Sequence, residues 1–174
     1  MKKEKDTKWI LSITIIAFVI SFIFSLISEL VIPNAHIAIS IFLVFIFIFL
    51  GIIFDIIGVA ISVSDQKSFH SMATKRVNGA KTAIKLTNSR EKVASFCNDV
   101  IGDICGVISG SCGLSIAIKL SSILGFNLLI TTLIITSIIS AFTIGGKALG
   151  KKTAIKSSNK IVHEFSKIIS PFIK

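Results

Sequence analysis

The stretch SREKVASFCNDVIGDICGVISGSCG, residues 89–113, decides how the rest of the chain is interpreted. It is apolar enough to form a membrane helix, yet it contains Asp99 and Asp103, with Asn98 next to the first of them. A carboxylate at the centre of a bilayer costs about 3 kcal/mol or more, so intramembrane acids normally face a protein interior or a wet cavity. We therefore expect this stretch to contribute a polar site to a bundle of membrane helices.

Long apolar runs place the whole chain in the class of integral membrane proteins. Of its 174 residues, 52% are hydrophobic, and the mean hydropathy is +0.87. A run of about 20 apolar residues is long enough to cross a hydrocarbon core of about 30 Å. We predict an all-α integral membrane protein whose four transmembrane helices lie at about residues 9–32, 37–62, 91–119 and 128–149, the last ending at Gly145-Gly146. The predicted regions are a charged cytoplasmic tail at 1–8, a transmembrane domain at 9–149 and a basic amphipathic cytoplasmic tail at 150–174.

The basic residues predict the orientation of these helices. The net charge is +10, and residues 1–8, 65–92 and 147–174 together hold 18 of the 19 Lys and Arg residues, the exception being Lys119. Four spans with both termini on one side explain this distribution. The positive-inside rule makes that side cytoplasmic, so we expect a multi-pass protein of the cell membrane with both termini in the cytoplasm.

Two segments outside the predicted spans are amphipathic. Between about residues 65 and 90, apolar residues recur at helical spacing with Lys and Arg between them, and Asn78-Gly79 could divide the segment into two short helices. The C-terminal tail has a similar apolar face and is ended by Pro171. Such helices are typical of a membrane surface, and their basic faces predict binding to anionic lipid.

A helical wheel of the third span predicts where its acids point. At 100° per residue, one stripe contains Ser95, Asp99, Gly102, Asp103, Gly106, Ser109, Gly110 and Gly113. The glycines at 102, 106 and 110 form a small-xxx-small ladder, which lets helix backbones approach closely. We therefore expect the two acids to point into a packed interface. Their oxygens would suit Mg²⁺ or Ca²⁺, and equally Na⁺ or a proton relay; alternatively, Asp99 forms a structural pair with Lys92.

A second polar cluster, Ser62, Ser64 and Asp65, ends the second span. It could supply further oxygen ligands, or it could simply cap the helix where the chain leaves the membrane. Asp55 lies about two turns earlier in the same helix. It could join the acids of the third span or accept a hydrogen bond within the bundle, and the sequence does not separate these alternatives.

The remaining reactive residue types do not form catalytic patterns. The three cysteines, Cys97, Cys105 and Cys112, are spaced by eight and seven residues, which matches no CxxC metal pair. We interpret them as small packing residues. The three histidines are isolated from one another, and no nucleophile elbow, phosphate-binding loop or metalloprotease motif is present. The sequence therefore predicts a protein that is not an enzyme.

The order of these motifs resembles the membrane domain of the CNNM/CorB/CorC magnesium-transporter family, in a short form without the nucleotide-binding CBS-pair domain. In that family one helix ends in a motif like S-A-S-E, and a later helix begins near N-P-E-R and carries a motif like I-G-N. The matching residues here are Ser62, Ser64 and Asp65 for the first motif, and Asn88, Glu91, Ile101, Gly102 and Asp103 for the second. The resemblance covers roughly residues 54–152; the chain differs by an extra first helix and a shorter cytoplasmic stretch.

The resemblance implies a homodimer whose membrane domain holds a dehydrated divalent ion among hydroxyl, amide and carboxylate oxygens. The leading hypothesis is transport of Mg²⁺, with Co²⁺ as a second ion, through an intramembrane site. The predicted ligands are Ser62, Ser64, Asp65, Asn98, Asp99 and Asp103, with Asp103 favoured over Asp99 because it lies deeper in the span. Gly102, Gly106 and Gly110 are the predicted helix-packing residues. The alternative is a non-transporting scaffold or partner subunit whose acids lock helix packing; neither hypothesis involves nucleic acid.

Overall fold

The computed structural model describes residues 2–32 and 35–171, and this part of the chain is helical with no strand. The helices are α1 (Lys2–Val31), α2 (Ile37–Val63), α3 (Gln66–Thr74), α4 (Ala80–Asn88), α5 (Arg90–Ser95), α6 (Gly102–Leu124), α7 (Leu128–Lys156) and α8 (Ser158–Ile169). A six-residue π-helix, Phe96–Ile101, joins α5 to α6. The predicted all-α fold class is thereby confirmed.

Four segments are long and apolar enough to cross a membrane, as predicted. They are Thr7–Leu30, Ile37–Val63, Arg90–Leu124 and Leu128–Lys156. At 1.5 Å per residue, the 27 residues of α2 extend about 40 Å, which exceeds a hydrocarbon core of about 30 Å. The predicted end of the fourth span is wrong: α7 continues past Gly145-Gly146 to Lys156. These glycines do not end the helix, and Gly146 instead lets α7 pack closely against Ile52 of α2.

The chain divides into two compact units, the first of which comprises residues 1–51 and 100–144. In this unit α1 packs on α6, and Ser28 Oγ lies 3.5 Å from Cys112 Sγ. Lys119 Nζ donates hydrogen bonds to the carbonyl oxygens of Ile32 and Ala35 at 2.6 and 2.5 Å. Lys119, the one basic residue outside the three basic segments, therefore binds two carbonyl groups of the connection that follows α1.

Close packing in the first unit uses small and aromatic residues. A Cβ atom on Gly113 would lie 2.4 Å from Ile139 Cδ1, so α6 and α7 can approach this closely only because residue 113 is glycine. The ring of Phe45 meets that of Phe142 edge-on, with centroids 6.2 Å apart. Cys105 and Cys112 are buried and form no disulfide, and the same is true of Cys97 in the other unit. Burial without a disulfide agrees with the predicted packing role.

The second unit comprises residues 52–99 and 145–174. Its core joins the ends of the long helices to the short amphipathic ones and consists of Ile57, Ala60, Ile61, Phe69, Ala83, Cys97, Ala154 and Val162. The side chains of Phe69, Ala83 and Val162 are fully buried. The prediction that the amphipathic segments lie on the membrane surface is therefore wrong for these apolar faces. They pack against protein because α3, α4 and α8 contact one another.

The predicted break at Asn78-Gly79 is confirmed. Gly79 has φ +83°, a left-handed conformation that favours glycine, and α4 begins at the next residue. A Cβ atom on Gly79 would also lie 3.0 Å from the backbone nitrogen of Lys167, so glycine is needed for α8 to approach. His163 Nε2 and the carbonyl oxygen of Asn78 are 3.0 Å apart at the same place. The break thus forms part of the contact between α4 and α8.

Candidate cation site

Three residues of the first unit that are expected to face a packed interface lie on an open surface of the chain. They are Asp103, Gly106 and Gly110. Asp103 is exposed, and Cβ atoms on Gly106 and Gly110 would meet nothing within 4 Å. Gly102 is buried, and its carbonyl oxygen lies 3.6 Å from where a Cβ on Gly51 would be. Within this unit Gly102 is packed as predicted, whereas Asp103, Gly106 and Gly110 are left open, so a packed interface at these three positions stays a prediction.

The packed face of α6 overlaps the predicted stripe only in part, at Gly102, Ser109 and Gly113. Its buried residues are Gly102, Ile104, Cys105, Ile108, Ser109, Cys112, Gly113, Ile116 and Ala117. A wheel shows which residues share a face but not which face meets a neighbour. Here the isoleucine and cysteine side chains, which fill more volume than glycine, occupy the protein contact.

Asp99, in the second unit, is also exposed, so it does not point into a packed interface within this unit. Its carboxylate accepts a hydrogen bond from Ser95 Oγ, one turn earlier in the third span. The wheel of the third span assumed α-helical winding, but residues 96–101 form a π-helix. A π-helix winds with i→i+5 hydrogen bonds and so changes the angle per residue. This winding is a physical reason for an altered direction of Asp99.

The side chains of the cluster at the end of α2 make local contacts. Ser62 Oγ donates to the carbonyl of Gly58 at 3.0 Å, and Ser64 Oγ, which is buried, donates to that of Ile61 at 3.1 Å. Asp65 is exposed, and its carboxylate accepts a hydrogen bond from the backbone N–H of Lys67 at 3.0 Å. This is the bond of a helix N-cap. These contacts match the alternative in which the cluster caps the helices at the membrane exit.

Asn98, by contrast, places a polar atom in the interior of the second unit. Its Oδ1 atom is buried and has no hydrogen-bond partner. A Cβ atom on Gly58 would lie 1.9 Å from that oxygen, so α2 admits Asn98 only because residue 58 is glycine. Asn98 lies in the π-helix, a winding found frequently at functional sites.

Asp55 is the buried acid of this unit. It is 6% exposed, and its Oδ2 atom is buried without a hydrogen-bond partner. Its Oδ1 atom lies 3.9 Å from Lys147 Nζ, which is beyond hydrogen-bonding distance. Asp55 precedes Gly58 by three residues in α2, so the two positions lie one helical turn apart. Two buried oxygen atoms without hydrogen-bond partners are thus found at neighbouring turns of α2: one belongs to Asp55, and the other belongs to Asn98, which lies against Gly58.

Glycines in α7 explain how Lys147 reaches Asp55. A Cβ atom on Gly146 would lie 2.2 Å from Ile52 Cδ1, and one on Gly150 would lie 2.6 Å from Ile56 Cγ1. These residues are one turn apart on each helix, which is the spacing of a close helix contact. The contact brings Lys147, between the two glycines in sequence, against α2.

Asp55 and Asn98 carry the kinds of oxygen atom that suit a hard cation held by few protein ligands. Carboxylate and amide oxygens are the ligands that Mg²⁺ and Ca²⁺ prefer, and Mg²⁺ keeps several waters when the protein supplies only one or two groups. Within residues 2–32 and 35–171, no cluster of three or more His, Cys, Asp or Glu residues could hold a metal. A buried acceptor without a partner costs about 1–3 kcal/mol. A cation or donor that reached Asp55 and Asn98 would recover part of that energy.

Of the six predicted ligands, Asn98 alone has a buried oxygen atom without a partner in the described chain. The sequence leaves Asp55 between two roles and shows Lys147 only as one of the basic residues of segment 147–174. A signal for Asp55 was present, because it is the one charged residue between positions 30 and 64. No sequence signal pairs it with Lys147, since the contact depends on the packing of α7 on α2.

Comparisons with family models, with curated proteins and with solved structures found no match to this chain. The resemblance to the CNNM/CorB/CorC family therefore remains a hypothesis based on the short motifs quoted above.

Proposed function

We propose that the protein moves a divalent cation, Mg²⁺ with Co²⁺ as a second candidate, across the cell membrane. The observation that carries this proposal is the buried carboxylate of Asp55, whose Oδ2 atom has no hydrogen-bond partner, in an apolar span-length helix. Ionisable groups inside membrane spans are rare and costly, and they mark ion pathways and proton relays in membrane proteins. Asp55 and Asn98 are the ligands that the geometry favours, with water completing the coordination.

The family resemblance supports the same class of function from a different set of residues. It assigns ligand roles to Ser62, Ser64, Asp65 and Asp103, and these assignments remain predictions. Ser62 and Ser64 donate their hydroxyl hydrogens to backbone carbonyls. Each hydroxyl oxygen keeps lone pairs with which it could still contact an ion.

A homodimer is part of the proposal. Asp103, Gly106 and Gly110 form an open stripe on a helix long enough to span a membrane. Facing lipid, the carboxylate of Asp103 would be costly. A second copy that packs the same stripe on a two-fold axis would cover it, and glycines allow the close approach that such an interface needs. Both termini are proposed to lie in the cytoplasm.

The transport experiment measures Mg²⁺ entry into liposomes containing purified protein and an internal fluorescent indicator. We expect Asp55→Asn to lower the initial rate roughly 10-fold or more, since the loss of a charged ligand costs about 1.5–3 kcal/mol. Glu164→Gln is the matched control, because Glu164 is an exposed acid paired with Lys167 at 2.9 Å. Equal rates for wild type and Asp55→Asn would refute Asp55 as a ligand.

The same assay tests the acid favoured by the sequence. Asp103→Ala is expected to lower the rate if the carboxylate joins an ion pathway in the dimer. Equal Mg²⁺ movement by this variant and the wild type would remove Asp103 from the ligand set.

The scaffold function is the second candidate, and the contact between Asp55 and Lys147 at 3.9 Å favours it. A buried ion pair can specify helix packing without binding any ligand. This function predicts that Mg²⁺ changes neither the melting temperature of the purified protein nor the ion content of the liposomes. A Mg²⁺-dependent rise in melting temperature that Asp55→Asn abolishes would contradict it.

A further inference from the structure

Lys147 has the geometry of an exchangeable counter-cation. Its side chain is 23% exposed, whereas that of Asp55 is 8% exposed, so the lysine is the partner of this pair that reaches the surface of the unit. The 3.9 Å separation neutralises charge without forming a direct hydrogen bond. Lysine carries its charge on a flexible four-carbon chain and can extend toward water while the stem stays against apolar surface.

We propose that the ammonium group of Lys147 pairs with the carboxylate of Asp55 when no divalent ion is bound. Ion binding then displaces this ammonium group toward solvent. This inference rests on the proposed function and specifies the regulation of its site. A second cation close to Asp55 would repel the ammonium group, since like charges at short distance oppose one another. The displaced group can extend toward water because Lys147 is partly exposed and lies one turn before the exposed lysines Lys151 and Lys152 of the same helix.

This exchange keeps the buried carboxylate neutralised at every stage. Removal of one partner from a buried pair is strongly destabilising, because it leaves an uncompensated charge. When the ion leaves, Lys147 returns to the carboxylate of Asp55, so this carboxylate does not remain as an unpaired charge in the apolar interior. The same competition weakens ion binding, so Lys147 sets the cation concentration at which the site fills.

The first test measures Mg²⁺ binding to the purified full-length protein by isothermal titration. Lys147→Met removes the charge but keeps the length of the side chain, and Lys147→Arg keeps the charge. We expect Lys147→Met to bind Mg²⁺ about 10-fold more tightly, the factor that corresponds to about 1.4 kcal/mol. Lys147→Arg is expected to bind no more tightly than the wild type.

The outcomes separate the two proposals. If Asp55→Asn abolishes binding but Lys147→Met binds as weakly as the wild type, the role of Lys147 is refuted and the cation site stands. If Asp55→Asn binds Mg²⁺ as well as the wild type, the cation site itself is refuted. Lys147→Met is also expected to melt at a lower temperature in EDTA and to gain more from Mg²⁺ than the wild type, because its buried carboxylate then lacks a counter-charge.

A second test needs no variant of Lys147. Acylation of lysine amines in the wild-type protein is followed by mass spectrometry with EDTA or with Mg²⁺. We expect Mg²⁺ to raise the labelling rate of Lys147 about threefold or more as its amine moves toward water, while Lys151, an exposed lysine of the same helix, keeps its rate. In Asp55→Asn, Lys147 should label rapidly with and without Mg²⁺. A labelling rate of Lys147 that does not change when Mg²⁺ binds would overturn the proposal.

Discussion

Gly58 and Asn98 are so close that a Cβ atom on Gly58 would lie 1.9 Å from Asn98 Oδ1. The amide oxygen occupies the space that any other residue at position 58 would need. Gly58→Ala should therefore destabilise the protein by about 1–3 kcal/mol, the usual cost of overpacking. It should also weaken Mg²⁺ binding, because Asn98 must move. The melting temperature in detergent and the titration with Mg²⁺ measure the two effects.

Gly145→Ala is the matched control for this prediction. Gly145 is exposed within α7, and a Cβ atom there meets nothing within 4 Å. Alanine stabilises an open helical position by up to about 1 kcal/mol relative to glycine. In the double variant Gly58→Ala/Asn98→Ala the clash with the amide is removed, while the Ala94 carbonyl oxygen stays 3.0 Å from the new Cβ. Stability should therefore return in part while Mg²⁺ binding stays weak. If Mg²⁺ binding returned as well, Asn98 could not be a ligand.

Lys119 is predicted to stabilise the first unit through the connection that follows α1. Its ammonium group donates to two carbonyl oxygens, those of Ile32 and Ala35. Hydrogen bonds to charged groups contribute about 1.5–3 kcal/mol, and Lys119→Ala should lower the stability by about that amount. Lys152→Ala, at an exposed lysine of α7, is expected to have almost no effect. Equal melting temperatures for the two variants would contradict a structural role for Lys119.

The sequence predicts the number and approximate position of the helices well because long apolar runs and turn residues are local signals. It also predicts the break at Asn78-Gly79, where glycine supplies the left-handed backbone. The side chains of the site were less predictable. Whether Asp55 or Asp99 is buried depends on which helix faces meet, and the π-helix at 96–101 changes the winding that a wheel assumes. The Gly146 and Gly150 contacts that bring Lys147 to α2 are likewise tertiary, so one sequence alone did not reveal the pair.

The open glycines of α6 predict where two copies meet. Gly106→Leu and Gly110→Leu should leave the fold of each copy intact, because the added side chains meet nothing within 4 Å of their Cβ positions. In a dimer built on this stripe, the same leucines would hold the two backbones apart. We expect the cross-linked dimer in native membranes to fall about tenfold, a change of about 1.4 kcal/mol.

Gly145→Leu is the control for this experiment, since it adds the same bulk at an open position of α7. It should leave the cross-linked dimer unchanged. If all three leucine variants dimerise as the wild type does, the interface lies elsewhere on the chain. If Gly145→Leu alone disrupts the dimer, the interface involves α7.

Phe69 separates two interpretations of the amphipathic segment after α2. On a membrane surface its ring would enter lipid, whereas in the structure it is fully buried in the protein core beside Ala83 and Val162. Phe69→Ala should therefore lower the free energy of unfolding by about 3–5 kcal/mol. Met72→Ala, at a half-buried position of the same helix, is expected to cost less. Thermal unfolding in detergent, without any bilayer, distinguishes the two interpretations. If the ring served only to enter lipid, Phe69→Ala would have the same melting temperature as the wild type.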